Sequence, residues 1–349
     1  MKETAVKFEH VKKYFVKSQG LFSRTVLKAV DDVSFEIKKG EILAVVGESG
    51  CGKSTLAKML CKIHDVTEGK IYVDGEEITT RMSKQQMQRF RSKVQMIFQD
   101  PFGSLNPAHK ASYIVGRAVE IHNPHISKKE IKQRVIELFE TVGLTPATDF
   151  MEKHPNQLSG GQRQRIVIAR ALAVEPSIMV ADEPTSMLDV SIGIEIMNLM
   201  MELKEKKKLT YMYITHNLAS ARYMADRIAV IYAGNCVEQG DIEAVLEQPL
   251  HPYTILLLNS TPEPFREEQF EIHASEDLPD LTGSMQMCPF STRCPKVTDR
   301  CKREKPGIYQ VGTREVKCFL YENIKSEDKM KLDVSIYREE NHEGNYGDV

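Results

Sequence analysis

Short apolar runs alternate along this chain with amphipathic stretches, and this alternation predicts its strands and helices. Unbroken or alternating apolar runs predict strands at 6–11, 33–37, 42–46, 70–73, 93–98, 178–181 and 210–215. A polar, Gly-containing stretch at 17–25 predicts a loop. Helices are predicted at 128–142, 190–205, 218–225 and from Lys53, where Leu56, Leu60 and Ile63 share one face. Strands that alternate with helices indicate an α/β fold with a parallel sheet.

The pattern changes after residue 252. Residues 259–283 are rich in Pro, Glu and Asp and are predicted to form a linker, and four cysteines follow it. The charged segment 325–349 is predicted to be a mobile tail.

The composition excludes several classes of protein. The formal net charge is −2, so no basic excess points to a nucleic-acid partner. No run of about 18 apolar residues is present, so the chain is not expected to span a bilayer by itself. Residues 1–10 lack the apolar stretch of a signal peptide, and we expect the protein to stay inside the cell.

A phosphate-binding loop follows the predicted strand at 42–46. Gly47-Glu-Ser-Gly-Cys-Gly-Lys-Ser54 fits the P-loop pattern G-x-x-x-x-G-K-[ST]. Glycines let successive N–H groups point inward at phosphate oxygens, Lys53 can reach the β- and γ-phosphates, and Ser54 can ligate Mg²⁺.

Two adjacent carboxylates end the apolar strand at 178–181. Asp182 is suited to bind Mg²⁺ through its hydration shell. Glu183 is then predicted to face the γ-phosphate and to act as general base toward the attacking water.

Further motifs resemble those of the ABC ATPases. Leu158-Ser-Gly-Gly-Gln162 resembles their signature sequence, Ser186-Met-Leu-Asp189 their D-loop, Gln99 their Q-loop glutamine and His216 their switch histidine. The resemblance implies a P-loop NTPase of ABC type, with a RecA-like parallel or mixed sheet core, an antiparallel β subdomain, a helical subdomain and a small Cys-rich C-terminal extension.

The same resemblance implies the site residues. Glu183 and His216 are the expected catalytic residues, and Ser54, Gln99 and Asp182 the expected Mg²⁺ ligands. The expected ATP-binding residues are Gly47, Glu48, Ser49, Gly50, Cys51, Gly52, Lys53, Ser54, Thr55, Gln99, Ser159, Gly160, Gly161, Gln162, Asp182 and Asp189. An aromatic residue is expected to stack on adenine; family spacing favours Phe15, with Tyr14 as the alternative.

Longer segments resemble the ATPases of oligopeptide/dipeptide importers, specifically the F-type subunit. They are 47–55, 98–107, 188–192 and His251-Pro-Tyr-Thr254, and the insert 20–24 adds to them. Met187 departs from the family, which usually has Ala there. The resemblance implies a nucleotide-binding domain at 1–258 with a helical subdomain at about 106–170, and a C-terminal extension at 259–324.

The importer resemblance also implies partners. They are a second, related ATPase subunit (a homodimer is the alternative), two membrane permeases that dock on 106–155, and indirectly an extracytoplasmic binding protein. The expected location is the cytoplasmic face of the membrane, as a peripheral protein. The alternatives are a soluble ABC ATPase, an exporter ATPase, a redox regulator built on the cysteines, and an importer ATPase for nickel or another non-peptide solute.

The late cysteines, Cys288, Cys294, Cys301 and Cys318, lack the C-x-x-C spacing of ordinary zinc sites. Their pattern is similar to a C-terminal motif of this importer family, some members of which hold a [4Fe–4S] cluster. Four thiolates suit such a cluster or Zn²⁺. We favour the cluster over zinc, and either metal over unliganded thiols or disulfides.

Overall fold

The structure is a computed structural model that describes residues 3–18, 24–260, 282 and 286–323. The predicted tail at 325–349 and nearly all of the predicted linker at 259–283 lie outside the described residues. The strands are β1 (Thr4–Ser18), β2 (Arg24–Lys38), β3 (Ile42–Val46), β4 (Glu68–Val73), β5 (Glu76–Glu77), β6 (Val94–Ile97), β7 (Ile178–Asp182), β8 (Thr210–Thr215), β9 (Arg227–Tyr232), β10 (Asn235–Asp241), β11 (Tyr309–Val311) and β12 (Arg314–Val316). The helices are α1 (Lys53–Leu60), α2 (Lys84–Lys93), α3 (Pro101–Ser104), α4 (Ala111–His122), α5 (Lys128–Thr141), α6 (Thr148–Met151), α7 (Gly160–Leu172), α8 (Val190–Lys207), α9 (Leu218–Met224), α10 (Ile242–Glu247) and α11 (Pro252–Asn259).

A mixed sheet forms the centre of the described chain. Its strand order is β11-β12-β10-β9-β3-β8-β7-β6. The five strands from β9 to β6 are parallel, and β10, β12 and β11 add antiparallel pairs at one edge. The inner strands β3, β7 and β8 are buried along their whole length, because helices cover parallel sheets on both faces. The predicted parallel or mixed core is confirmed.

An antiparallel sheet with the order β2-β1-β4-β5 packs over α1 and one face of the large sheet. It is the predicted antiparallel β subdomain. The loop predicted at 17–25 was too long at both ends, because β1 continues to Ser18 and β2 begins at Arg24.

Helices α4, α5 and α7 pack together beside the sheet and form the helical subdomain that the family resemblance implied. A capping box of Ser127 and Glu130 starts α5, and its buried residues include Val135 and Leu138. Among the described residues, no helix combines the length and the apolar character needed to cross a membrane.

Some local predictions were wrong. Ile63 lies beyond the end of α1 and is 51% exposed rather than part of its buried face. The pattern also missed α2, in which Phe90 is the buried residue, and the strands and helices β9, β10, α10 and α11.

Candidate active site

The loop between β3 and α1 curls tightly, and two of its glycines are sterically required. Gly47 and Gly52 have φ values of 151° and 110°. A Cβ atom at Gly47 would lie 2.1 Å from the carbonyl oxygen of Ile231, and one at Gly52 would lie 2.3 Å from that of Ala29. The loop's N–H groups and the start of α1 together suit an anion.

Lys53 is buried and holds this loop closed. Its Nζ donates to the carbonyl oxygens of Gly47 at 2.7 Å and Glu48 at 2.8 Å. The third contact of Nζ is with the Sγ of Cys51 at 3.8 Å. Sulfur is a weak acceptor, so a phosphate oxygen can compete for this third N–H. Cys51 is buried beside it, and burial raises the pKa of its thiol. Cys51 therefore packs as an uncharged residue.

The other predicted residues of the loop lie around Lys53. Ser49 and Gly50 form its exposed tip, and Thr55 lies in the first turn of α1, where its N–H donates to the carbonyl oxygen of Gly52 at 3.0 Å.

Ser54 and Asp182 meet at the carboxyl edge of the parallel sheet. The hydroxyl of Ser54 donates to Asp182 Oδ1 at 3.0 Å, and Asp182 is buried at the end of β7. Burial raises the pKa of Asp182, and the bond from Ser54 opposes this rise. A hydroxyl and a carboxylate are oxygen donors of the kind Mg²⁺ prefers, with water and phosphate completing its shell. This pair therefore fits Mg²⁺ bound together with a nucleotide.

Glu183 is held from two sides. Gln99 Nε2 donates to Glu183 Oε2 at 2.9 Å, and His216 Nδ1 lies 3.0 Å from Glu183 Oε1. The backbone of Glu183 adopts φ 47°, which is uncommon for a residue with a side chain, and its N–H donates to Ile214 O at 2.9 Å. The strands and the left-handed turn thus bring together three side chains that are far apart in sequence.

Asp189 lies on the wall of a cavity of about 480 Å³, together with Ser186, Glu183 and His216. Met187 is beside it and is 52% exposed. The predicted contact of Asp189 with nucleotide stays a prediction.

The signature residues begin α7. Ser159 caps this helix in a capping box with Gln162. A Cβ at Gly161 would lie 2.6 Å from Ile192 Cγ2, and one at Gly160 would lie 3.0 Å from Leu188 Cδ2. The glycines thus allow α7 to approach the start of α8 closely. The side chains of Ser159 and Gln162 each accept from the backbone N–H of the other residue. In the described part of the chain, no hydrogen bond links Ser159 or Gln162 to the phosphate-binding loop.

The two aromatic candidates differ in their surroundings. The Tyr14 hydroxyl donates to Asp31, and burial raises the pKa of Tyr14. The Phe15 ring is half-buried, with the edge of His64 at 5.4 Å between ring centroids and Lys13 Nζ at 5.1 Å.

The four late cysteines gather around one small cavity of about 90 Å³, as their clustering in the sequence predicted. None of them forms a disulfide, so the disulfide alternative is not supported. Burial raises the pKa of Cys288 to about 11 and those of Cys294 and Cys318 to about 12. Among the residues the structure describes, no three His, Cys, Asp or Glu side chains are placed to hold a metal ion.

Two residues from the C-terminal part contact the loop, and sequence reasoning gave neither a role. The N–H of Glu48 donates to the hydroxyl of buried Tyr253 at 2.9 Å. Arg293 forms an ion pair with the Glu48 carboxylate. The segment His251-Pro-Tyr-Thr254 contributed to the family resemblance, but the resemblance did not predict the contact of Tyr253 with the loop.

Family models and solved structures identify proteins that this chain resembles. The ABC transporter model matches residues 30–186, and the model of the oligopeptide/dipeptide transporter C-terminal region matches 237–301. The chain is similar to the dimeric ATP-binding cassette MJ0796 in a post-hydrolysis state bound to ADP and Pi, with TM-score 0.60, 31% identity and coverage of 68% of this chain and 98% of that one. It is also similar to cbiO1 from Clostridium perfringens, part of the ABC transporter complex cbiONQ, with TM-score 0.60, 26% identity and coverage of 74% and 95%.

Curated relatives share much of the length. The oligopeptide transport ATP-binding protein OppF of Bacillus subtilis is 47% identical over 76% of this chain and 84% of its own. AppF of the same organism is 41% identical over 91% and 98%, and the dipeptide transport protein DppF of Escherichia coli is 39% identical over 88% and 92%.

Fold and site thus define a P-loop ATPase of the ATP-binding cassette class. The sequence identity to these three relatives is 39% to 47% over at least 76% of this chain. The chain belongs to the family of ABC transporter ATP-binding proteins of the oligopeptide/dipeptide type.

Proposed function

We propose that this ATPase drives uptake of oligopeptides or dipeptides as a subunit of a membrane importer. The observation that carries its catalytic part is the position of Glu183, held between Gln99 and His216 beside the Ser54–Asp182 pair. The curated relatives, whose names specify oligopeptide or dipeptide transport, support the choice of cargo.

Hydrolysis follows from these positions. Lys53 and the loop N–H groups bind the phosphates, and Glu183 accepts a proton from the water that attacks the γ-phosphorus. The bond between that phosphorus and the β–γ bridging oxygen breaks, giving ADP and phosphate. His216 orients Glu183 and the γ-phosphate. Ser54, Asp182 and the amide oxygen of Gln99 would hold Mg²⁺, which would supply positive charge to the phosphate oxygens when bound.

In this proposal, the signature residues bind the nucleotide that is held by a neighbouring ATPase subunit. Ser159 and the N–H groups of Gly160 and Gly161 bind that γ-phosphate, so ATP closes the dimer and hydrolysis reopens it. Changing the dimer from mostly open to mostly closed takes about 5.5 kcal/mol of differential affinity. A few charge-assisted hydrogen bonds at about 1.5–3 kcal/mol each are enough. The neighbour is a related ATPase, with a second copy of this chain as the alternative.

Phe15 is the proposed adenine platform. Tyr14 is less suited, because its hydroxyl is already engaged with Asp31. Phe15 needs no hydrogen-bond partner. Its ring is partly exposed near the C-terminal end of β1, where it contacts the edge of His64.

We propose that the permeases dock on the segment 106–155, and we extend this surface to the exposed aromatic residue Phe102 just before it. Phe102 and Tyr113 are 52% and 53% exposed. The guanidinium of Arg163, on α7, lies 4.1 Å from the ring centroid of Phe102. A partner that presses on Phe102 therefore affects Gln99, which touches Glu183, and the signature helix together. This docking places the chain peripherally at the cytoplasmic face.

Substituting both aromatic residues with Asp tests the docking surface. We expect the F102D/Y113D variant to lose most cofractionation with membranes that contain the coexpressed permeases, because central aromatic anchors contribute about 2 kcal/mol or more, roughly 30-fold in affinity. The control is I308D, since Ile308 is 46% exposed and lies in the C-terminal part. Equal membrane binding by both variants would contradict the proposed surface.

Uptake assays test the cargo. A strain without this gene should fail to take up labelled peptide, and the wild-type chain but not E183Q should restore uptake. Restored transport of nickel with no change in peptide uptake would favour the non-peptide alternative. Unchanged transport of every solute would favour a soluble ATPase.

We also propose the domain bounds that the family resemblance implies. The nucleotide-binding domain is 1–258, with its helical subdomain at about 106–170, and the C-terminal extension is 259–324.

The cysteine cavity is the proposed site of a [4Fe–4S] cluster, with Zn²⁺ as the alternative. Four thiols around one cavity are a donor set that fits either metal. Their side chains must turn inward to bind it, since no ligating group is present among the described residues.

Metal analysis of anaerobically purified protein tests this site. We expect about four irons per chain and a broad band near 400 nm, both lost in C294S. The matched control is C236S, because Cys236 is buried outside the cavity. One zinc per chain and no colour would select the alternative, and neither metal at stoichiometric amounts would contradict the proposal.

A further inference from the structure

The Cys-rich segment 288–318 reaches the phosphate-binding loop through one ion pair. Arg293 Nη1 lies 3.0 Å from Glu48 Oε2, and Nη2 lies 3.2 Å from Glu48 Oε1. The guanidinium thus bonds both carboxylate oxygens, which is the strong, geometrically specific form of this pair. The Arg293 side chain is 11% exposed and that of Glu48 is 36% exposed, so solvent reaches the pair mainly from the Glu48 side.

Glu48 is fixed at three points as a result. Its N–H donates to the Tyr253 hydroxyl, its carboxylate binds Arg293, and its carbonyl oxygen accepts from Lys53 Nζ at 2.8 Å. Phe290 packs against the Tyr253 ring with a centroid distance of 5.6 Å. The same short segment therefore supports both outer attachments of Glu48, while the third attachment orients the lysine that faces phosphate.

Further contacts seat the segment on strand β2 beneath the loop. Lys305 Nζ lies 2.6 Å from Asp31 Oδ2, and Lys317 Nζ lies 3.2 Å from Asp32 Oδ2. Since the segment is anchored at these points, the position of Arg293 relative to the loop is defined.

We propose that Arg293 is a positioning residue for the phosphate-binding loop and that the Cys-rich segment sets the affinity for ATP through it. Without the guanidinium, the Glu48 carboxylate is unpaired next to the bound phosphates. The backbone of Glu48 is also held less firmly, and its carbonyl oxygen is the one that orients Lys53. Within the described residues, no hydrogen bond or ion pair joins Glu48 or Arg293 to Glu183, Gln99 or His216, so we expect the chemical step to be unaffected. The inference rests on the proposed assignment of Gly47–Ser54 to ATP phosphates.

ATP hydrolysis by the full-length chain tests the inference. We expect R293A to raise KM for ATP about tenfold with kcat changed less than twofold, because the pair orders the binding loop only. R293K should recover part of the loss, since lysine keeps the charge but cannot bond both oxygens. In an E48Q background, R293A should change KM less than twofold, because the charge it balanced is gone.

R300A is the matched control. Arg300 lies in the same segment but pairs with Glu304 and Glu322, away from the loop. Equal KM values for R293A and R300A, additive effects of R293A and E48Q, or a loss confined to kcat would each overturn the inference. K53A tests the proposed ATP-binding role of the Gly47–Ser54 loop separately from the role of Arg293. If K53A leaves ATP binding intact, the assignment of the loop is wrong.

Discussion

The E183Q variant should bind ATP and form a stable dimer while its hydrolysis rate falls about 1000-fold, within the range of 100- to 10,000-fold for general-base catalysis. Glutamine keeps the size of the side chain and the bonds available to Gln99 and His216, but it cannot accept the proton from water. Phosphate release measures the loss, and gel filtration with ATP measures the dimer. Because hydrolysis reopens the dimer in the proposed mechanism, the closed form should accumulate.

E175Q is the control for this substitution. Glu175 also has a left-handed backbone, at φ 54°, and pairs with Arg134 on the surface away from the site. Its substitution should leave hydrolysis unchanged. Phosphate release from E183Q at the wild-type rate would refute the role of Glu183 as base.

Replacement of Gly52 with alanine should abolish ATP binding. The new Cβ would lie 2.3 Å from the carbonyl oxygen of Ala29 and would require φ 110°, so the loop must move away from β2. Such strain costs about 1–3 kcal/mol, and the displaced loop no longer presents its N–H groups and Lys53 together. Isothermal titration with ATP measures binding, and thermal unfolding reports the stability.

G75A separates strain from clash. Gly75 has φ 80°, but a Cβ there would meet nothing within 4 Å. We expect a loss of about 1 kcal/mol in stability with normal ATP binding. Nucleotide affinity that is equal in G52A and G75A would show that the approach of β2 does not shape the loop.

The elements that the sequence predicted well have a clear period or a clear motif. Strand β3 was predicted at its observed bounds because it is buried on both faces and flanked by glycines. Helix α11 was missed because nearly all of its residues are buried, so it has no polar face to give a helical period. Helix α2 was missed for the opposite reason, since it is polar almost all round.

The motifs predicted which residues meet at the sheet edge but not the long-range contacts that hold them. Glu48 and Arg293 are 245 positions apart, and no local pattern relates them. The bond from Tyr14 to Asp31, which supports the proposal of Phe15 over Tyr14, likewise had no signal in the sequence. Contacts of this kind depend on how sheets and termini pack, which propensity and periodicity do not encode.

A high-resolution structure of E183Q with Mg²⁺ and ATP, together with its partner ATPase, tests the central claim most directly. We expect each nucleotide to lie on the Gly47–Ser54 loop of one subunit or its equivalent, with the signature serine and glycines of the other subunit within hydrogen-bond distance of the γ-phosphate. Pockets in which every protein contact to the γ-phosphate comes from the polypeptide that holds the nucleotide would contradict the account.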